Sequence, residues 1–339
     1  MKFTAPGFVG TLIVAVFSGL LVLAGAYRFF GLGGTQREDD PEALAKRANN
    51  ALEAVRNRTP GERRPASYDA VLHPLDRLLQ LAREKIHSLD YDPIADFDEI
   101  FAAANPVIAV AAAANAQAQT ETGPLAKEYR FKSQKAEAAQ YLAAALWNRT
   151  VARRGVSADF GKTGEPYPSA DIERTLSVIK EGLDADPENR ALWFLRGSVH
   201  RAAGLFAAAA RDLERTLEFD PRDPEAHNAL GLVYIDLKQF DKAEEHLEKA
   251  RAGALAIAGE SGANPGADYT AIIFNLGRFH EGLAAFYARE NRLAPGVENA
   301  RLMQKHSGEA RKRLGEFLGR EPSGSPDASL ARRLLDGLP

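Results

Sequence analysis

Residues 190–223 read RALWFLRGSVHRAAGLFAAAARDLERTLEFDPRD, and residues 224–257 read PEAHNALGLVYIDLKQFDKAEEHLEKARAGALAI. Aligned end to end, Gly197 falls on Gly231, Phe206 on Phe240, Ala209 on Ala243, Leu213 on Leu247, and His200 on Tyr234. A recurrence every thirty-four residues is the period of a helix-turn-helix unit stacked into a solenoid. One such unit cannot bury its apolar face alone, so neighbours must stack, and the product is a surface rather than a reactive centre. The fold class expected is therefore all-α.

The 339-residue chain is long enough for a sizeable core and for two structural units. Hydrophobic residues make up 45% and charged residues 26%, the balance of an ordinary folded protein. Net charge is −3, without the basic excess of a protein that tracks phosphate backbone, so nucleic acid is not expected as a partner. Cysteine is absent, which removes disulfides, thiolate metal sites and cysteine nucleophiles.

At the N-terminus, Phe8 to Tyr27 (FVGTLIVAVFSGLLVLAGAY) carries no charge. Twenty helical residues span roughly 30 Å, the thickness of a bilayer's hydrocarbon core. Lys2 precedes the run, and Tyr27, Arg28, Phe29 and Phe30 follow it as an aromatic and basic collar. The segment predicts a single transmembrane anchor, with the lipid bilayer as a partner through residues 8–27. Ala24-Gly25-Ala26 offers small residues for signal cleavage as the alternative, although the apolar run exceeds a usual signal core. Lys2 favours a cytoplasmic N-terminus, while Arg28, Arg37, Lys46 and Arg47 argue the other way. The expectation is a single-pass protein of the bacterial inner membrane with its C-terminal domain exported to the periplasm.

Beyond a glycine-bearing linker at 31–39, helical spacing returns. Leu44, Ala48, Leu52 and Val55 form one stripe after Asp40 and Pro41. Val71, Leu75, Leu78, Leu79 and Ile86 form another, and Pro74 places the start of that continuous helix near His73. The alanine-rich run from Phe97 to Glu121 suits close helix packing better than a second crossing, because it contains Asn105, Asn115, Gln117 and Gln119. Lys132–Arg154 and Ala170–Leu183 read as a helical pair ending in Asp186-Pro187, the punctuation repeated at Asp220-Pro221. Domain boundaries follow: 1–30 anchor, 31–39 linker, 40–130 helical N-terminal region, 131–320 solenoid, and 321–339 linker with a short C-terminal helix.

These residues resemble the tetratricopeptide repeat family. Its framework appears as Trp193, Gly197, His200, Ala209, Leu213 and Pro221, then as His227, Gly231, Tyr234, Ala243, Leu247 and Ala250. Thr216 departs from the small residue expected at its place, and the second repeat ends at Gly253 without a proline. Asn275-Leu276-Gly277 opens a third, atypical repeat whose second helix comes only at about Val297 to Leu318. The resemblance implies a groove lined by the first helix of each repeat. Carried over, that face comprises Phe194, Ser198 and Arg201, then Asn228, Leu232 and Ile235, then Asn275 and Arg278. An extended peptide or partner helix fits such a groove. The lysine used by chaperone-adaptor relatives to grip a C-terminal carboxylate is replaced by Phe194, so acidic chaperone tails are disfavoured.

Catalytic and metal motifs are missing. His280-Glu281 does not extend to HExxH, no P-loop appears, and no Gly-x-Ser-x-Gly elbow is found. His200 and His227 fall on framework positions, where packing accounts for them. The expectation is no enzyme and no cofactor: a membrane-anchored scaffold binding protein or peptide partners in envelope assembly, export or quality control. The alternative is a self-assembling solenoid module, and behind it an enzyme whose site lies in the non-repeat region 40–130.

Overall fold

The computed structural model describes residues 41–59, 67–77, 116, 132–157, 167–261, 267–321 and 325–339. All regular structure among them is helical, as the thirty-four-residue period requires. The expected span at Phe8–Tyr27, the linker at 31–39 and all but residue 116 of the alanine-rich run lie outside the described residues. Among the described residues no helix is long and apolar enough to cross a membrane.

Helix α1 (Pro41–Arg56) buries the stripe read from its spacing: Leu44, Ala48, Leu52 and Val55 are all within the core. Residues 67–77 are helical throughout, so the helix is already running at Ser67 and passes Pro74 instead of starting at His73. The apolar face explains the difference. Tyr68, Val71, Leu72 and Leu75 are buried, and burial of four large side chains outweighs the roughly 3 kcal/mol that an interior proline costs.

The chain divides into two compact units between Gly204 and Leu205. In the first, α2 (Lys132–Ser157) and α3 (Ser169–Ala185) pack as a hairpin, and α4 (Arg190–Ala202) lies against both. Alanine permits the close approach: Ala136, Ala139, Ala143 and Ala144 of α2 are fully buried. A Cβ on Gly182 would run into Leu192 of α4 and meet Ala139 of α2. Trp147 fills the remaining space, its ring 5.2 Å from that of Tyr167. Asp186-Pro187 ends the pair as expected. The Asp186 carboxylate accepts the Glu188 amide, and Asn189 caps α4 by accepting the Leu192 amide at 3.0 Å.

The second unit runs α5 (Phe206–Phe219), α6 (Pro224–Asp236), α7 (Phe240–Ser261), α8 (Ala267–Leu293), α9 (Val297–Leu318) and α10 (Pro326–Asp336). Each helix packs on the next, and α6 also touches α8, the arrangement of stacked hairpins. The crossings repeat. At Gly231 a Cβ would lie 2.7 Å from Leu247 Cγ, and at Gly277 one would lie 2.8 Å from Leu314 Cγ. Gly277 and Leu314 thus do in the third hairpin what Gly231 and Leu247 do in the second. Thr216 is buried in place of the expected small residue, and its hydroxyl donates to the Asp212 carbonyl at 3.0 Å, so no buried polar group is stranded. The short terminal helix begins at Pro326, because Ser325 caps it by accepting the Ala328 amide and Pro326 occupies its first turn. It packs on α9 and α8, with Ala328 and Ala331 buried.

Candidate functional site

The face expected to bind a partner is distributed over three helices. On α4, Phe194 is buried, Ser198 is half-buried and donates to the Phe194 carbonyl at 3.2 Å, and Arg201 is half-buried. These three belong to the first unit. The other five lie in the second, where α6 and α8 run side by side.

There the geometry joins Asn228 to Asn275: the Asn275 amide donates to Asn228 Oδ1 at 3.0 Å, and each residue is 1% exposed. Leu232 is buried one turn further along α6, and Ile235 lies half-buried beyond it. The asparagines are thus a clasp between the two first helices, and Ile235 and Arg278 keep the surface. Residues 228, 232 and 235 share one helical face by spacing. Arg278 stands over the Phe274 ring, 5.9 Å from its centre. Its charge acts on two acids, Glu281 of α8 and Asp327 of α10. Burial pushes Asp327 up to about 6, with the negative charge of Glu321 adding and that of Arg278 opposing. Burial also raises Glu281.

Two histidine pairs, each joining the first and second helix of one hairpin, were not legible from sequence spacing. His227 Nδ1 and His246 Nδ1 are 2.9 Å apart, and His280 Nδ1 and His306 Nδ1 are 3.0 Å apart. The partners lie nineteen and twenty-six residues apart, separations that no single-helix pattern searches. In the first pair the tautomers follow from the surroundings. His227 Nε2 lies 3.1 Å from the Pro221 carbonyl, which can only accept, so Nε2 carries the proton and Nδ1 accepts from His246. Further rings adjoin each pair: Tyr234 lies 5.4 Å from His246 and tilted to it by 35°, and Tyr287 stacks on His306 at an interplanar angle of 8°. Burial and then the neighbouring ring's charge lower His246 to about 4, and the same causes lower His280 to about 4. Burial lowers His227 and His306 as well. All four are neutral in the folded state near neutrality. Two nitrogens alone make a poor metal site, and among the described residues no group of three or more potential ligands converges.

A charged network ties α7 to the third hairpin. Arg313, nearly buried on α9, donates to Glu248 of α7 at 2.9 Å, and Arg251 donates to the same carboxylate at 2.7 Å. Burial alone would raise Glu248, but the two arginines hold it below the ordinary carboxylate value. The Tyr269 hydroxyl donates to Glu316 at 2.6 Å, and Tyr234 to Glu214 at 2.8 Å. Burial and that hydrogen bond raise Tyr234 to about 12. These contacts serve the stack; none of them presents an activated nucleophile or a poised base at the surface.

The tetratricopeptide repeat family matches this chain over residues 171–224 and 197–257. No match was found among curated protein sequences. Among solved structures, the MamA RS-1 ArsTM double mutant is similar at 15% identity and a TM-score of 0.32, covering 64% of this chain and 97% of its own. The human IFIT1 dimer with PPP-AAAA is similar at 15% identity and a TM-score of 0.30, covering 83% and 68%. Yeast Tom70 is similar at 13% identity and a TM-score of 0.27, covering 96% and 69%.

Proposed function

We propose that this chain, which the tetratricopeptide repeat family matches over residues 171–224 and 197–257, is a scaffold that holds protein partners on the first helices of its repeats, tethered to a membrane by residues 8–27. The observation that carries the reading is the repeated crossing at Gly231 and Gly277. It stacks α6 beside α8 and leaves Ile235 and Arg278 on the surface next to the buried asparagine clasp. Extended peptides and partner helices dock on such faces by apolar contact plus a few placed polar groups. Ile235 supplies the apolar contact. Arg278, already balanced by Glu281 and Asp327, supplies a donor whose charge is partly spent, which favours a polar or weakly acidic partner group over a strongly acidic one.

On α4 the half-buried Ser198 and Arg201 offer a second, smaller set of contacts. The uncharged segment from Phe8 to Tyr27 supports the tether, and the repeats occupy the part of the chain beyond it. An exported domain working in envelope assembly, export or quality control fits this layout.

Tagging the full chain after Pro339, extracting it in mild detergent and identifying co-purifying proteins tests the reading. Specific partners recovered with the unaltered chain should be lost with Ile235→Arg and kept with Lys312→Glu on the exposed face of α9. Equal recovery with all three chains contradicts it.

A further inference from the structure

The third hairpin is longer than the second while crossing in the same way. Gly231 and Leu247 are sixteen residues apart; Gly277 and Leu314, which make the equivalent contact, are thirty-seven apart. The twenty-one additional residues are shared between the end of α8 and the start of α9. With ten or so on each helix, the turn stands roughly 15 Å beyond the turn between α6 and α7.

That projecting turn is Leu293-Ala294-Pro295-Gly296-Val297, and every one of its residues is exposed. Leu293 is 71% exposed and Val297 88%, the two most exposed large apolar side chains among the described residues. The turn is built, not frayed: Asn291 accepts the Gly296 amide at 3.0 Å, and the Asn299 amide reaches the Ala294 carbonyl at 3.4 Å. Below it stand Arg289, Arg292, Arg301 and Lys305, against only Glu290 and Glu298, and Glu298 is engaged by Arg301 at 2.8 Å. An apolar tip beside a cationic excess on the two helices that carry it matches the profile of a bilayer interface, where apolar groups enter the acyl boundary and guanidinium groups meet phosphates.

We propose that the turn at residues 293–297 docks on an anionic lipid bilayer surface, with Leu293 and Val297 entering the interface and Arg289 and Arg292 meeting the headgroups. The apolar tip has no use for water, and the cationic excess has its complement in acidic lipid. The contact rests on the tether of residues 8–27 only in that the tether brings the hairpin within reach of a bilayer. It gives the solenoid a second point of attachment and so fixes which way its partner face is turned.

The chain has no cysteine, so Val297→Cys and, as control, Lys312→Cys each provide one labelling position. The full chain carrying an environment-sensitive fluorophore at either position is mixed with vesicles of phosphatidylcholine, with or without phosphatidylglycerol, containing nitroxide-labelled lipid. The expected result is a blue shift and several-fold stronger quenching at position 297 than at 312, in the anionic vesicles. Arg289→Glu with Arg292→Glu should bring quenching at 297 down to the control level. Equal quenching at the two positions overturns the proposal. So does disulfide-linked dimer formation by Val297→Cys without lipid quenching, which would assign the tip to a second copy of the chain. Vesicle flotation of the same samples reports the tether separately, so the two readings fail independently.

Discussion

Replacing Gly231 with alanine sets two effects of known size against each other. An alanine in a helix interior is favoured over glycine by about 1 kcal/mol. At this crossing, however, the new Cβ would lie 2.7 and 2.9 Å from side-chain carbons of Leu247 and 3.3 Å from the Ala243 carbonyl oxygen. Leu247 is fully buried and cannot swing away, so the methyl group must push α7 off α6. Overpacking of this kind costs about 1–3 kcal/mol, and contact with a backbone oxygen places it towards the upper end. The net expectation is a loss of about 1–2 kcal/mol. Gly282, in the middle of α8, has nothing within 4 Å of its added Cβ, so Gly282→Ala should gain about 1 kcal/mol by propensity alone. Thermal unfolding followed by far-ultraviolet circular dichroism reads both, at about 4 °C per kcal/mol for a unit of this size. The double variant Gly231→Ala, Leu247→Ala should be less damaged than the sum of its parts, because the clash is gone. The reasoning is refuted if Gly231→Ala raises the midpoint, or if the two glycine variants move it in the same direction.

The turn between α6 and α7 places Lys238 at a φ of 61°, the position that Gly204 occupies at a φ of 75° thirty-four residues earlier. Left-handed backbone costs a side-chain-bearing residue about 1–2 kcal/mol, so Lys238→Gly should raise the unfolding midpoint; a fall would count against the turn geometry. Asp223 caps α6 by accepting the Glu225 and Ala226 amides at 2.9 and 3.2 Å, and Asp223→Ala should cost about 1–2 kcal/mol in the same assay. Acid should loosen the second unit through its histidines. His246 and His280 are lowered to about 4 in the folded chain and titrate near 6.5 when unfolded, so the unfolded chain takes up more protons between those values. Their stabilising contribution is complete above about pH 6.5 and is lost as pH falls towards 4; Asp327, raised to about 6, acts in the opposite sense and offsets part of it. Urea midpoints measured across this range should fall with acid in the unaltered chain and flatten in His246→Phe with His280→Phe, which removes the two titrating rings while keeping an aromatic at each place. An unchanged slope would remove the pairs from the account.

What the sequence disclosed depended on whether the signal was periodic. Gly231, Ala243 and Leu247 recur at the repeat spacing because each hairpin must solve the same crossing, and the same logic found Gly277 in the third. The twenty-one-residue extension also left a trace, in the late start of the second helix at Val297, but only the structure shows that it lengthens both helices and lifts an apolar turn away from the stack. Asn228 and Asn275 were legible as members of one face. That they are spent on each other was not, since their separation of forty-seven residues has no local signature. The histidine pairs escaped for the same reason. Pro74 misled in the opposite direction: propensity placed a helix start beside it, and buried Tyr68, Val71, Leu72 and Leu75 carry the helix through.

The most direct test of a scaffold that works through its first helices is photo-crosslinking from single positions in the full chain inside living cells. A crosslinker at Ile235, on the face shared by Asn228 and Leu232, should give discrete products with partner proteins. One at Lys249, on the exposed face of α7, should give none. Products of equal yield from both positions, or none from Ile235, would contradict the account.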